Sequence, residues 1–105
     1  MLSPDPANVL PLEGEIDLHV APRLESSLAR ITKKHPPHVV VDLSGVTFID
    51  SSGLAVLIRA REDIRNYGGK LTLSGIREDV LVMFEMARLD QVFLIDPQND
   101  LLAAD

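Results

Sequence analysis

Apolar residues arrive along this chain in two rhythms. Between residues 53 and 67 they step by three and four, as Leu54, Leu57, Ala60, Ile64 and Tyr67, while Arg59, Arg61, Glu62, Asp63 and Arg65 take the other side. That spacing predicts an amphipathic helix, and Gly68-Gly69 supply its left-handed stop. Leu24, Leu28 and Ile31 repeat the stripe in a shorter helix. Pro22 suits its first turn, Lys33 and Lys34 place positive charge at its negative end, and Pro36-Pro37 prevent continuation. A third helix is predicted over 78–89. Its run Val80, Leu81, Val82, Met83, Phe84 and Met86 holds more apolar side chains than one inward stripe can use, so some face outward or meet something.

The second rhythm is extended. Val39, Val40, Val41 and Leu43 form a β-branched run broken only by Asp42, the signature of a central strand covered on both faces. Further strands are predicted over 9–14, 70–74 and 91–95, with Pro11 arguing for an edge or a bulge in the first. Residues 96–105 add at most one helical turn. Strands alternating with helices of this length imply right-handed crossovers, and so an α/β domain with a mostly parallel sheet.

Composition narrows this further. At 105 residues and 46% hydrophobic content, the chain is expected to build one domain, residues 1–105, around one core. The absence of cysteine removes disulfides and thiolate metal sites and fits a reducing cytoplasm. No apolar run approaches the roughly 20 residues that span a bilayer, and residues 1–6 lack the pattern of a secretion signal. A net charge of −6 opposes nucleic acid and anionic lipid and suits a partner with a basic face.

Chemistry concentrates at Asp50-Ser51-Ser52-Gly53-Leu54, where the central strand passes into the long helix. A helix start offers unpaired N–H groups and partial positive charge, so a serine there is either a cap or a phosphate acceptor. Asp50 either orients the Ser51 hydroxyl or bonds nearby N–H groups. Gly53 either leaves room for an approaching partner or nucleotide or merely loosens the helix start. His19, His35 and His38 lack metal-ligand spacing, so no metal site is expected. The Gly-x-Ser-x-Gly nucleophile elbow and the phosphate-loop spacing are both missing, so neither an enzyme nor a cofactor site is expected.

This stretch, with Gly14-Glu15-Ile16-Asp17 before it and Tyr67-Gly68-Gly69-Lys70-Leu71 after it, resembles the STAS domain family (sulphate transporter and anti-sigma factor antagonist), most closely its free-standing anti-sigma factor antagonists. Val80, Phe84, Met86 and Leu89 fall where that family's last long helix is apolar. The resemblance implies a partner-switching cycle. The unphosphorylated domain binds an anti-sigma serine kinase and frees its sigma factor, the kinase phosphorylates Ser51, and a serine phosphatase resets the module. It also implies that Asp17, Asp50, Ser52, Gly53, Leu54, Arg59 and Arg61 contribute the docking face, with Asp17 near the phosphosite or else a plain turn residue.

Two departures stand out. The family's additional N-terminal strand is missing or frayed here, leaving a mostly parallel (mixed) sheet without that edge. Leu81 and Val82 stand where the family often has charge. Those apolar side chains keep a rival open: a permanent STAS subunit of a lipid-handling ABC transporter complex, with no phosphate cycle. They equally suit a homodimer through the 80–89 helix.

Overall fold

The computed structural model describes residues 5–96. After a 3-10 turn at Pro6–Asn8, strand β1 (Val9–Ile16) leads to helix α1 (Ala21–Thr32), strand β2 (His38–Ile49), helix α2 (Ser51–Asn66), strand β3 (Lys70–Ser74), helix α3 (Glu78–Met86) and strand β4 (Leu94–Asp96). The four strands lie in the order β1-β2-β3-β4, and all three pairings are parallel. Successive crossovers in one direction, each right-handed, put the three helices on the same face of the sheet. One buried cluster accordingly joins Leu24 and Leu28 of α1, Leu57 and Ile64 of α2, and Val80 and Phe84 of α3 to Val39, Val41, Leu43 and Leu73 of the sheet.

The valine run is inner strand, as its composition predicts, and Val39, Val40 and Val41 are fully buried. The strand that contains it is much longer than residues 39–43. After Asp42 pairs with Ser74, β2 leaves β3 behind and continues beside β1 alone, through Val46 to Ile49. This extension alternates exposed Ser44, Thr47 and Phe48 with buried Val46 and Ile49. Its polar half resembles a loop in composition, which conceals it in the sequence.

Strand β1 does not stop at Gly14 either. It runs to Ile16, and register shifts against β2 fall between Pro11 and Glu13 and between Gly14 and Glu15. Gly14 has φ +75°, a conformation that favours glycine, at the second shift. Pro11 sits on the outer strand of the described sheet, where its missing N–H leaves no ladder bond unmade. Residues 1–4, where a further N-terminal strand would begin, lie outside the described residues.

Helix α3 ends three residues earlier than its apolar run suggests. Arg88 adopts φ +60°, and Leu89 N–H donates to the Phe84 carbonyl at 2.8 Å, closing the helix as a left-handed cap. The chain then turns through residues 91–93 rather than entering a strand, because Phe93 drops into the core edge-on to Phe84, 5.9 Å between ring centres. Only Leu94–Asp96 pairs with β3. The helical turn expected over 96–105 lies outside the described residues apart from Asp96, which belongs to β4. The surplus apolar residues of α3 divide as their number requires: Leu81 and Met83 pack against the core, while Val82 and Met86 are exposed.

At the far end of β2, His38 Nε2 lies 2.8 Å from Thr72 Oγ1. Burial, and then the charge of Lys70, lower the pKa of His38 from its ordinary 6.5. The unfolded chain therefore takes up this proton first as pH falls. The stabilisation is complete above pH 6.5 and is lost as pH drops toward the folded-state value. Thermal melts at about pH 7 and about pH 5 are expected to show a smaller acid-induced drop in Tm for His38→Gln than for the native chain.

Candidate functional site

Strands β1 and β2 finish side by side. Ile16 pairs with Ile49, and Asp50 N–H donates to the Ile16 carbonyl at 3.1 Å. The next residue of each strand is an aspartate, and each turns the chain toward a helix. Asp17 Oδ1 accepts from the N–H groups of His19 at 2.9 Å and Val20 at 3.2 Å, and the Asp17 carbonyl accepts from Ala21 N–H at the first residue of α1. Asp50 is the N-cap of α2, its Oδ1 accepting from Ser52 N–H at 2.8 Å and Gly53 N–H at 3.2 Å. The β1–β2 pairing thus brings Asp17 and Asp50 to one end of the sheet. Asp17 is a turn-forming residue at the same end of the sheet as Asp50.

Asp50 therefore takes the capping role that a serine might have filled. Ser51 is the first residue of α2, exposed, and its hydroxyl has no hydrogen-bond partner among the described residues. Ser52 is half-buried beside it. Much of the anion-binding capacity of this helix start is already used. Ser52 and Gly53 donate to the Asp50 carboxylate and Leu54 donates to the Asp50 carbonyl, so an added phosphate at Ser51 would find those N–H groups occupied and a carboxylate adjacent. Asp50→Ala is expected to cost about 0.5–2 kcal/mol of stability, and Asp50→Asn much less because the amide oxygen can still cap. Chemical denaturation of the two variants measures the difference.

Gly53 and Leu54 face inward. A Cβ on Gly53 would lie 2.8 Å from Ile16 Cγ2 and 2.8 Å from Ile49 Cγ1. The room this glycine makes is for the chain's own core, which brings the start of α2 down onto the ends of β1 and β2. Leu54 is buried in the same cluster. Neither side chain offers a surface to a partner.

Arg59 and Arg61 do not share a face. Two residues on a helix are about 160° apart around its axis. Arg59 lines a groove of about 250 Å³ between α1 and α2, together with Glu25, Val56 and Asp63. Arg61 turns to the other flank, where α2 meets β3 and β4. The outward stripe of α2 is instead Ser51, Ala55, Arg59 and Glu62, all exposed. Ala55 and Glu62 are legible in the sequence as the complement of the buried stripe. Leu18, exposed to 68% next to Asp17, is a site residue that periodicity gives no reason to single out.

No group of three metal-ligating side chains occurs among the described residues. No described helix is long and apolar enough to cross a membrane. The site is a corner with two serine hydroxyls that have no hydrogen-bond partner among the described residues, Ser51 exposed and Ser52 half-buried, together with the Asp50 carboxylate that caps α2, the Asp17 carboxylate that holds its own turn, and the exposed Leu18.

The model of the STAS domain matches residues 3–101. This chain belongs to the STAS domain family. Within it, the STAS domain resembles an anti-sigma-B factor antagonist of Listeria monocytogenes, 30% identical over 82 residues that cover 78% of this chain and 72% of that protein. Among solved structures it resembles an anti-sigma factor antagonist from Mycobacterium paratuberculosis, with 30% identity, a TM-score of 0.81, and coverage of 96% of this chain and 88% of that one. A sulfate transporter family protein from Wolinella succinogenes shares the fold at TM-score 0.80, with 19% identity and coverage of 96% and 84%. The family is one of regulatory binding modules, and the single α/β domain with its four-stranded parallel sheet and three helices is the STAS fold of the antagonists.

Proposed function

We propose that this STAS domain is an anti-sigma factor antagonist switched by phosphorylation of Ser51. The observation that carries the proposal is the exposed Ser51 hydroxyl, without a hydrogen-bond partner among the described residues, next to an Asp50 carboxylate committed to capping α2. The unphosphorylated domain docks on a cytoplasmic serine kinase that holds a sigma factor, using Ser51, Ser52, the Asp17–Leu18 turn, Ala55 and Arg59. The sigma factor is released. The Ser51 hydroxyl oxygen then attacks the γ-phosphorus of the kinase's ATP, ADP leaves, and the serine proton passes to a base on the kinase. A serine phosphatase hydrolyses the ester and restores the docking form. The domain supplies the acceptor and the surface, and the kinase supplies the catalysis.

Phosphate works as a switch here because the domain cannot absorb it. It adds about 1.5 to 2 negative charges, and the N–H groups of Ser52, Gly53 and Leu54 are already bonded to Asp50. The charge must project toward the partner. Desolvating it there without compensation costs several kcal/mol, and each 1.4 kcal/mol is a factor of ten in affinity. Asp50 beside the ester also raises the free energy of the phosphorylated form, which favours the phosphatase.

A second reading is favoured by one observation, the exposed Val82 and Met86 on α3. A lasting interface is more apolar than a switched one, so this face also suits a permanent membrane-transporter complex or a homodimer through the 80–89 helix. Co-purification from the native host separates these. Recovery of a kinase that releases the domain on addition of ATP supports the antagonist. Recovery of a permease or transport ATPase, unaffected by ATP-dependent phosphorylation, supports the transporter subunit.

A further inference from the structure

Three surface recesses of the described residues mix cations with carboxylates: Arg59 with Glu25 and Asp63, Arg88 with Glu85 and Asp90, and Arg77 with Glu78 and Asp79. A fourth, of about 300 Å³, does not. Arg61, Arg65 and Lys70 line it together with Leu71, Val92 and Leu94, and no carboxylate contributes. Arg61 and Arg65 are four apart on α2 and so lie on one flank of the helix. Neither has an ion-pair partner among the described residues, in a chain whose net charge is −6. Val92 and Leu94 are two of the large apolar side chains this protein leaves exposed, and Leu94 is on β4, the strand at which the described sheet ends.

We propose that this recess is a second docking site, for an extended acidic segment of a partner protein with apolar side chains between its carboxylates. Successive side chains of an extended segment point to opposite sides, so one set can reach the arginine row while the alternate set covers Val92 and Leu94. The outer edge of β4 presents backbone groups along which such a segment can lie. Charge selects the occupant. A second copy of this chain placed edge to edge would bring the same three cations against themselves, and nucleic acid would meet the net negative charge of the whole domain. An acidic peptide meets that net charge with far fewer charges of its own than a nucleic acid, places them against the three cations, and covers Val92 and Leu94 with its apolar side chains.

Position separates this site from the serine corner. Ser51 opens α2 and Arg65 stands in its last turn, about 21 Å along the helix axis. A partner held at β4 stays attached whether or not Ser51 carries phosphate. The site therefore acts as a tether that keeps a partner at high local concentration through the switching cycle.

The test uses a fluorescein-labelled peptide of alternating glutamate and leucine, its lysine–leucine counterpart, and vesicles of phosphatidylglycerol, each added to the full chain at low salt. Fluorescence anisotropy is expected to show binding of the glutamate peptide; the lysine peptide, drawn by the net charge of −6 to carboxylates elsewhere, is expected to bind no more weakly when Arg61 and Arg65 are neutralised. The double variant Arg61→Gln and Arg65→Gln, which keeps good helix formers in place, is expected to bind at least about tenfold more weakly with an unchanged melt. Ser51→Asp is expected to bind as the native chain does. Amide NMR shifts on titration are expected at Leu71, Val92 and Leu94. Absence of glutamate-peptide binding, equal binding by the double variant, weaker lysine-peptide binding by the double variant, shifts centred on Ser51, or capture by the vesicles in place of the peptide would each overturn the proposal.

Discussion

Ser51→Asp is expected to abolish binding to the anti-sigma kinase, while Ser51→Ala keeps binding and loses phosphorylation. The two variants differ by one carboxylate on an exposed position of the first turn of α2. That carboxylate cannot fold back on the helix start, because Asp50 already accepts from Ser52 and Gly53. Buried at a docked surface without a partner, it costs about 3–5 kcal/mol. At about 1.4 kcal/mol per tenfold, affinity falls by roughly a hundredfold to several thousandfold. Titration calorimetry against the kinase reads this directly. Both variants should keep the native circular dichroism, since an exposed N-terminal helix position tolerates either residue, so a loss of binding cannot be ascribed to unfolding. Tight binding by the aspartate variant would contradict the switch, and phosphate incorporated into the alanine variant would contradict the acceptor.

The second large effect is on stability, and its sign opposes what helix propensity alone gives. Alanine in place of a helical glycine ordinarily stabilises by about 1 kcal/mol. At Gly53 the new methyl would sit 2.8 Å from Ile16 Cγ2, 2.8 Å from Ile49 Cγ1 and 3.1 Å from the Ile16 carbonyl oxygen. Ile16 and Ile49 are almost wholly buried and flank the very ends of β1 and β2, so they have little room to yield. Overpacking of this kind costs typically about 1–3 kcal/mol. Gly53→Ala is therefore expected to lower Tm by several degrees, on the order of 10 °C at the upper end for a domain of this size. Relief of the clash also requires the start of α2 to lift from the sheet, moving Ser51, so kinase affinity should fall together with Tm. An unchanged or raised Tm would show that α2 does not rest on Ile16 and Ile49 as described.

What could be read from the sequence follows from how local each determinant is. The stripe of Leu57, Ala60 and Ile64, the Gly68-Gly69 stop, and the valine run of β2 are patterns within a few residues, and the elements they predict are where they were expected. The strand-to-helix passage marks both Ser51 and Ser52, and the resemblance to the antagonists singles out Ser51. The extension of β2 to Ile49 was hidden because a strand paired on one side only carries polar Ser44 and Thr47, which look like loop. The apolar pattern over 91–95 places Phe93 in a strand, whereas its role in the fold, packing on Phe84, depends on a contact that alternation does not encode. The purpose of Gly53 needed Ile16, a residue of another strand. In each case the missing fact was a tertiary neighbour.

The same contrast applies to Asp50. Sequence left it between a kinase contact and a backbone cap, and its hydrogen bonds to Ser52 and Gly53 make it a cap. With Asp50 so engaged, the Ser51 oxygen has no hydrogen-bond partner among the described residues, and two of the N–H groups that could shelter an added phosphate are occupied. One carboxylate thus holds α2 in place and leaves its neighbour available to another protein.

The central claim is that Ser51 is a phosphate acceptor. Incubation of the native chain with its kinase and ATP, followed by digestion and mass spectrometry of the peptide containing Ser51 and Ser52, tests it most directly. One phosphate, on Ser51, is the predicted result, removed again by a serine phosphatase. Phosphate on Ser52 instead, or an unmodified peptide from a kinase that binds the domain, would contradict it.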